Sequence, residues 1–370
     1  MRHKRVVIKI GSNVLTAVDG SLDRKRMEAL VGQIATLHEH DIEVIVVSSG
    51  AVASGRGELK WRGGGHAKLD DVSARQLFSA VGQAKLINGY FDLFGARGIL
   101  CGQVLTTKES FATRRHYLNQ RNCMETMLAN GVIPVVNEND TISVSELMFT
   151  DNDELSGLVS TMMGADALVA LSNVDGIYNG DPSDPSSEVI RCIGTHNSDI
   201  DSYIQAGRSQ FGRGGMLTKS RIALKVAGEG VEVIIANGRR EEVLTRLLVD
   251  EEDVICTRFV PAARATSGVK KWIAHSDGFA KGVIHINEGA LRALLQPLAS
   301  SLLYVGVTAI DGEFEKDDVV TVVAPDGAVV GLGKVSADSA RARQLVGTKG
   351  SKPLVHYDYL HLNIDVANQD

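Results

Sequence analysis

The stretch Val7-Ile8-Lys9-Ile10-Gly11-Ser12-Asn13 decides how this chain folds. Its apolar part is interrupted only by Lys9, which is typical of a strand covered on both faces of a parallel sheet. The strand then runs straight into a Gly-Ser turn. Ligands of open parallel sheets gather where strands end, and there a lysine can neutralise phosphate while a glycine lets backbone N–H groups approach oxygens. The alternative is a solvated lysine at the end of a strand.

Five further apolar runs repeat this pattern over the first 260 residues. They are Val44–Val47, Ile99–Val104, Val132–Val136, Ala167–Leu171 and Val231–Ala236. The segments between the runs are predicted to be helices, at Asp23–His38, Ser73–Phe94, Thr113–Asn130, Glu154–Met163 and Thr218–Ala227. This alternation predicts an α/β fold, with a mainly parallel open sheet and helices on both faces.

The pattern changes near residue 260. Short strands are predicted at Gly282–Ile286, Leu302–Val307, Val319–Val323 and Val329–Val335, with one short helix at Asn287–Leu295. Asp-Gly pairs at 311–312 and 326–327 indicate turns between the later strands. We therefore predict a first domain over residues 1–260, a linker over 261–275 and a small β-rich domain over 276–370.

Composition excludes several classes of protein. The chain has 370 residues, 39 basic and 45 acidic side chains and a formal net charge of −6, which argues against nonspecific binding of polyanions as its main role. A hydrophobic fraction of 44% is ample for a core. Four scattered cysteines without CxxC spacing predict neither a zinc site nor a disulfide framework. No stretch approaches 18 apolar residues, so we expect a soluble cytoplasmic protein.

Three more segments place polar residues where strands end or helices begin. VVSSGAVASG at 46–55 predicts a loop whose N–H groups and hydroxyls bind an anion, although an ordinary capped helix start is the alternative. PVVNEND at 134–140 and FTDNDEL at 149–155 supply carboxylates and amides. These could bind an ammonium group, a metal–phosphate complex or catalytic lysines, and helix capping is the alternative for Asp151 and Asp153.

A glycine-rich loop, FGRGGMLTK at 211–219, precedes the last helix of the first domain. Such a loop can wrap a nucleotide phosphate, with Lys219 reaching the transferred group. A flexible surface loop is the alternative. The common phosphate loop GxxxxGK[ST], the protein-kinase HRD and DFG signatures and the GxSxG nucleophile elbow are all absent from the sequence.

Five motifs in this order resemble the amino-acid kinase family, and within it the members that phosphorylate glutamate. They are VIKIGSNVL at Val7–Leu15, SSGAVASGR at Ser48–Arg56, NEND at Asn137–Asp140, DNDELS at Asp151–Ser156 and GGMLTK at Gly214–Lys219. Further on, KGVIHINEGALRAL and SLLYVGVTAIDGEF resemble a PUA domain. The resemblance implies an amino-acid kinase fold over residues 1–260 and a PUA-like barrel over 276–370.

The resemblance also implies an activity. ATP would phosphorylate the γ-carboxylate of L-glutamate to glutamyl 5-phosphate, the first step of proline biosynthesis, with Mg²⁺ required. It implies a homo-oligomer, a dimer or a tetramer, with proline as feedback inhibitor at a site overlapping that of glutamate. Neither a membrane nor a nucleic acid is expected as a partner.

Site residues carry over position by position. The resemblance implies catalytic roles for Lys9, Lys219 and Asp153, and glutamate binding by Ser49, Asp140 and Asn152. The implied ATP-binding residues are Lys9, Gly11, Ser12, Ser172, Asn173, Arg213, Gly214, Gly215, Met216, Leu217, Thr218 and Lys219. Ser172-Asn173 stands where Thr-Asp is frequent in the family, and Arg213 where Thr is common. The resemblance assigns no metal ligands.

Two alternatives stay open. A kinase of the same fold could act on another small acceptor, such as another acidic amino acid, acetylglutamate, carbamate or a nucleoside monophosphate. The chain could instead bind RNA through its PUA-like part, where Arg341, Arg343, Lys349 and Lys352 would supply a weak basic patch. Residues 262–370 hold 11 basic and 12 acidic side chains, which favours a solvated surface over recognition of a nucleic-acid backbone.

Overall fold

A computed structural model describes most of the chain. The described residues are 2–17, 20–61, 69–112, 114–142, 152–181, 184–194, 215–262, 273, 280–296, 300–350 and 352–362. The chain separates into two compact units, one formed by residues 1–108 and 118–265 and the other by 109–117 and 266–370. The grouping of 109–117 with the second unit was not suggested by the sequence.

The first unit is built on an eight-stranded sheet in the order β3-β4-β2-β1-β5-β7-β8-β6. Its strands are β1 (Arg5–Ile10), β2 (Glu43–Ser48), β3 (Leu100–Thr106), β4 (Val132–Glu138), β5 (Ala167–Ser172), β6 (Cys192–Ile193), β7 (Glu232–Asn237) and β8 (Thr257–Phe259). Neighbouring strands in this order are parallel, except that β7 and β8 are antiparallel. The mainly parallel sheet predicted from the apolar runs is therefore confirmed, and the run that opens the chain forms a central strand.

The helices are placed in chain order between and after these strands. They are α1 (Ser12–Leu15), α2 (Arg24–Glu39), α3 (Ala51–Trp61), α4 (Asp71–Gly95), α5 (Glu109–Ala112), α6 (Arg114–Ala129), α7 (Asn152–Met163), α8 (Gly215–Gly228), α9 (Val243–Leu248), α10 (Glu288–Leu294) and α11 (Ser339–Leu345). Within the described ranges, no helix combines the length and apolar character needed to span a bilayer.

Strand β1 divides its side chains between two layers of helices. Val6, Ile8 and Ile10 belong to the core cluster that also contains buried residues of α2, α4 and α9. Because successive side chains of a strand alternate, Val7 and Lys9 point to the other face, and α7 packs on that side against β1 and β5. The alternation thus places the single lysine of the strand beneath α7.

Helices α3 and α4 approach each other backbone to backbone. A Cβ atom added to Gly55 of α3 would lie 1.8 Å from the carbonyl oxygen of Phe78, and one added to Gly82 of α4 would lie 1.8 Å from that of Ala51. No side chain fits at either position, so these two glycines set the spacing of the two helices.

The second unit contains a five-stranded sheet in the order β10-β9-β11-β12-β13. Its strands are β9 (Gly282–Ile286), β10 (Val307–Gly312), β11 (Val319–Val323), β12 (Val329–Val335) and β13 (Val355–Leu362). A separate core cluster fills this unit, so the predicted β-rich second part is confirmed.

One strand of the second unit was predicted wrongly. Residues Leu302–Val307 contain a single bridge at Leu302 and then a 3₁₀ turn, Tyr304–Gly306, before β10 begins. Gly306 packs closely on α10, where an added Cβ would lie 2.6 Å from the Cβ of Ala290. Its carbonyl accepts a hydrogen bond from the backbone of Asn287. This local turn cannot be seen in an apolar pattern, which β-strands and buried turns share.

Replacement of Gly82 by alanine is expected to destabilise the first unit. The new methyl group would meet the backbone of α3, which cannot move aside as a side-chain tip can. We expect the free energy of unfolding to fall by about 3 kcal/mol, at the upper end of the usual effect of overpacking. Urea denaturation followed by circular dichroism would measure the change.

Gly95→Ala in the same helix is the matched control. An added Cβ at Gly95 meets nothing within 4 Å, so this change is expected to alter stability by no more than about 1 kcal/mol. Equal effects of the two substitutions would contradict the view that backbone contact fixes the helix pair.

Candidate active site

Two lysines meet one buried aspartate at the carboxyl end of the sheet. Lys9 of β1 places its Nζ 2.6 Å from Oδ1 of Asp153, in the first turn of α7, and Lys219 of α8 donates from its Nζ to Oδ2 of the same carboxylate. The exposed fraction of the side chain is 6% for Lys9, 5% for Asp153 and 19% for Lys219. Three segments that are far apart in sequence therefore converge on one ion-pair cluster.

The two lysines control the ionisation of Asp153. Burial alone would raise the pKa of this carboxyl group, but the positive charges of Lys9 and Lys219 outweigh that effect and hold its pKa below the ordinary value. The carboxylate stays ionised at neutral pH and joins the two ammonium groups. Counted by themselves, the three side chains of this cluster carry two positive charges and one negative charge.

A cavity of about 520 Å³ opens at the same edge of the sheet. It is lined by Ser12, Ser49, Gly50, Ala51, Val52, Ala53, Arg56, Asp71, Ala74, Arg75, Phe78, Asn137, Glu138, Asp140 and Asn152. These residues come from the ends of β2 and β4, from the starts of α1 and α7, and from the first two turns of α3 and α4. Asn152 adjoins Asp153 in sequence, so the cavity and the lysine cluster share the start of α7.

The amide of Asn152 ties the ends of two strands, β2 and β4, together in the cavity. Its Nδ2 lies 2.9 Å from Oγ of Ser49, 3.0 Å from Oδ1 of Asn137 and 3.2 Å from the carbonyl oxygen of Ser48. Asn137 in turn donates from its Nδ2 to Oε1 of Gln83 on α4, at 2.8 Å. The predicted glutamate-binding residues Ser49 and Asn152 are therefore in direct contact.

Asp140, the third predicted glutamate-binding residue, also lines the cavity and contacts α4. Its Oδ1 accepts hydrogen bonds from Arg75 at 2.8 and 2.7 Å, and its Oδ2 accepts one from the hydroxyl of Ser79 at 3.3 Å. Arg75 and Ser79 are four residues apart on α4, so both face the carboxylate. The guanidinium of Arg75 also lies 3.5 Å from Oε2 of buried Glu138.

Sequence reasoning missed Arg75, although it reaches a predicted site residue. A basic residue on a helix is usually solvated, and no local motif marks this one. The only sequence signal is the four-residue spacing of Arg75 and Ser79, which places two hydrogen-bond donors on one helix face.

The residues predicted to bind ATP fall into two groups. Gly11 and Ser12 follow β1 directly, and an added Cβ at Gly11 would lie 3.2 Å from the carbonyl oxygen of Leu171 and 3.6 Å from Nζ of Lys9. Ser172 ends β5, and its hydroxyl lies 3.4 Å from Oδ1 of Asn173. These four residues occupy the carboxyl ends of adjacent strands, close to the lysine cluster.

The glycine-rich loop is described only from its helical end. Arg213 and Gly214 lie outside the described residues. Gly215, Met216, Leu217, Thr218 and Lys219 form the first turns of α8, and of these Lys219 has its ion pair with Asp153.

An additional ion pair stands beside Ser172 and was not anticipated. Asp175 accepts hydrogen bonds from Arg240 at 2.6 and 2.8 Å and from the amide of Asn237, which ends β7, at 3.0 Å. The hydrogen bond from Arg240 is the main reason why the pKa of Asp175 lies below its ordinary value. The pair fixes the loop after β5 against the end of β7.

The arrangement joins two binding functions. A cluster of net positive charge suits a phosphoryl group, and the adjoining cavity offers carboxylates, amides and hydroxyls to a small charged molecule. Among the described residues, no group of three or more His, Cys, Asp or Glu side chains is arranged to hold a metal ion.

Comparisons with known proteins agree with this geometry. Residues 4–237 match the model of the amino acid kinase family, and residues 282–357 match that of the PUA domain. A glutamate 5-kinase from Bacteroides thetaiotaomicron is 63% identical over 358 residues, which are 97% of this chain and 98% of that protein. A glutamate 5-kinase from Chlorobaculum tepidum is 43% identical over 361 residues, again 97% of this chain and 98% of the other.

Among solved structures, the chain resembles a carbamate kinase from Giardia lamblia bound to AMP-PNP. The TM-score is 0.51 at 16% identity, and the match covers 70% of this chain and 99% of the other. At this identity the likeness shows a shared fold and nothing about the acceptor.

Replacement of Asp153 by asparagine is expected to remove the carboxylate that two poorly exposed ammonium groups share. Removal of one partner of a buried ion pair costs about 3–5 kcal/mol, and we expect a loss of that size in the free energy of unfolding at pH 7. Because the pKa of Asp153 is lower in the folded than in the unfolded chain, its stabilisation is complete above the unfolded pKa of about 3.9 and is lost as pH falls towards the folded pKa.

Urea denaturation of the unaltered protein and of Asp153→Asn, from pH 7 to pH 3, would test the direction of this pH dependence. The stability difference should be constant down to about pH 4 and should narrow below it. A difference that does not change between pH 5 and pH 3 would contradict the assignment. Glu154→Gln is the control, because Glu154 is 30% exposed and lies 3.4 Å from Lys108, so its loss should cost less than about 1 kcal/mol.

Proposed function

This chain belongs to the amino acid kinase family, and we propose that it transfers the γ-phosphoryl group of ATP to the γ-carboxylate of L-glutamate, as a glutamate 5-kinase. The product is glutamyl 5-phosphate, and the reaction is the first step of proline biosynthesis. The observation that carries the proposal is the pair of lysines on Asp153 next to a cavity that presents Ser49, Asp140 and Asn152.

The reaction needs little from the protein beyond position and charge. An oxygen of the γ-carboxylate attacks the γ-phosphorus, a new O–P bond forms, and the P–O bond to ADP breaks with its electron pair leaving on the ADP oxygen. A carboxylate is already a nucleophile at pH 7, so no general base is required. An anion attacks an anion, and neutralising that repulsion is the main catalytic task.

Lys9 and Lys219 are proposed to perform this task. Their ammonium groups sit on either side of one carboxylate, and the net positive charge of the cluster favours a phosphoryl group that carries negative charge as it moves. Asp153 then acts as a positioning residue, because it holds both ammonium groups and stays ionised while doing so.

The acceptor is proposed to bind in the cavity of about 520 Å³. Asp140 would hold its ammonium group, and Ser49 and Asn152 would bind carboxylate oxygens through a hydroxyl and an amide. The contact of 2.9 Å between Ser49 and Asn152 keeps these two donors together beside the lysine cluster. The acceptor's γ-carboxylate would then face Lys9 and Lys219.

The nucleotide is proposed to lie along the neighbouring strand ends. Gly11 and Ser12 would line the phosphate path, Ser172 and Asn173 would lie at the ribose and base, and residues 213–219 would close over the phosphates. Mg²⁺ in kinase sites is held mainly by substrate phosphates and water, with one or two carboxylates. The residues that the structure describes contain no preformed cluster of metal ligands, which fits arrival of the ion with ATP. When bound, Mg²⁺ supplies positive charge to the phosphate oxygens.

Regulation and assembly complete the proposal. Proline shares with glutamate an α-carboxylate and an amino group, so we propose that it inhibits by binding at Asp140 and Asn152. We propose a homo-oligomer and a cytoplasmic location. Proline should abolish glutamate-dependent turnover in the unaltered enzyme. Retained turnover in the presence of proline in the Asp140 and Asn152 variants would support the shared site.

An acceptor panel tests the proposed function directly. The protein is incubated with ATP, Mg²⁺ and hydroxylamine, which converts an acyl phosphate into a hydroxamate that gives a coloured complex with iron(III). Product is expected with L-glutamate and not with N-acetylglutamate or carbamate. ADP release with another acceptor, and none with glutamate, would reject the assignment.

Lys219→Ala is expected to lower kcat much more than it raises the KM for glutamate. The lysine acts on charge that develops as the phosphoryl group moves, and loss of one such group costs about 10²- to 10³-fold in kcat. Lys225→Ala, at an exposed position of the same helix, is the control and should leave kcat within about twofold. An effect of Lys219→Ala on KM alone would show that the residue binds substrate without acting on the transferred group.

A further inference from the structure

Arg75 is the solvent-facing member of an ion-pair cluster in the acceptor cavity. Its Nε and Nη2 lie 2.8 and 2.7 Å from Oδ1 of Asp140, and Nη2 lies 3.5 Å from Oε2 of Glu138. The exposed fraction is 41% for the side chain of Arg75, against 7% for Asp140 and 3% for Glu138. All three residues line the cavity, and Arg75 is the most exposed of them.

This geometry matches the charged end of an amino acid. The ammonium and the α-carboxylate of glutamate are attached to the same carbon, so they must be bound by neighbouring groups of opposite charge. If the ammonium lies on Asp140, the α-carboxylate falls beside any cation that touches the same side chain. Arg75 is such a cation, and its planar fork of N–H donors suits a carboxylate.

We infer that Arg75 is a specificity-determining residue that binds the α-carboxylate of the acceptor, while Asp140 binds the ammonium group. This inference rests on the proposed function and adds to it the group that selects acceptors with a free α-carboxylate. We do not assign α-carboxylate binding to Ser79, which lies one helical turn along α4. Its hydroxyl donates a hydrogen bond to Oδ2 of Asp140.

A second guanidinium in the cavity provides the natural comparison. Arg56 of α3 lines the same space, but its guanidinium carbon lies 5.5 Å from the ring centroid of Phe78, over the aromatic face. Arg56 therefore has a cation–π partner, whereas Arg75 contacts the carboxylate proposed to hold the substrate. The two residues have the same charge and differ in what they touch.

The test compares two acceptors that differ only at the α-carboxylate. L-Glutamate and its α-amide, L-isoglutamine, both keep the ammonium group and the γ-carboxylate, and both acyl phosphates are trapped by hydroxylamine. The ratio of kcat/KM for the two acceptors is measured in the unaltered enzyme and in the Arg75→Gln, Arg75→Lys and Arg56→Gln variants. Thermal melting confirms that each variant is folded.

The unaltered enzyme is expected to prefer glutamate over isoglutamine by about 10- to 100-fold in kcat/KM. This is the factor that corresponds to the free energy of a hydrogen bond to a charged group. In Arg75→Gln the preference should fall to within about threefold of unity, because only glutamate loses a partner. Arg75→Lys should keep an intermediate preference, since the charge remains and the fork is lost. Arg56→Gln should leave the ratio unchanged.

Each other outcome overturns the inference. If Arg75→Gln weakens both acceptors equally, the residue only holds Asp140 in place; if Arg56→Gln abolishes the preference, the α-carboxylate lies on the other guanidinium. Should Arg75→Gln prove unfolded, an Arg75→Lys variant with an unaltered ratio would equally reject the role. Absence of glutamate turnover in the unaltered enzyme would reject the proposed function itself, a result distinct from turnover with an unchanged ratio.

Discussion

A single buried carboxylate holds two ammonium groups, and the rest of the site is arranged around that fact. Charges taken out of water cost several kcal/mol each unless they are paired, so the carboxylate of Asp153 stabilises both Lys9 and Lys219 at the end of the sheet. The aspartate stands in the first turn of α7, where the helix dipole favours negative charge. The remaining positive charge of the cluster is what a phosphoryl group in transfer requires.

The acceptor cavity depends on the same helix in a different way. Asn152 precedes Asp153 and connects the ends of β2 and β4 through Ser49 and Asn137, so one turn of α7 serves both the charge cluster and the acceptor wall. On the other side, the close backbone contact of α3 and α4 sets the distance between the helices that contribute Arg56 and Arg75. The cavity is thus bounded by backbone contacts, which hold position better than long side chains do.

Much of this could be predicted from the sequence, and the reasons are physical. Strands buried on both faces leave long apolar runs, so β1, β2, β4 and β5 were located to within about two residues. Lys9, Asp153 and Lys219 were found because each lies in a short motif at the end of a strand or the start of a helix. Their joint role was implied by the resemblance to the amino-acid kinase family, and their mutual contact is seen in the structure.

Other features left no comparable signal. Arg75 lies inside a long helix where a basic residue is ordinarily solvated, and its partner Asp140 is 65 residues away. Strand β8 is three residues long and antiparallel, too short for any periodic pattern. Such pairings depend on the tertiary structure, and local sequence does not encode them.

The central place of β1 also has a consequence for how the chain is made. Its neighbours are β2 and β5, and the latter is not complete until residue 172, while Lys219 follows still later. During synthesis one edge of β1 therefore stays unpaired until β5 has been made. Contacts between residues so far apart in sequence form slowly. The lysine cluster can assemble only after α8 has emerged from the ribosome. A nascent chain that ends before α8 contains Lys9 and Asp153 but lacks Lys219, so we expect no turnover from it.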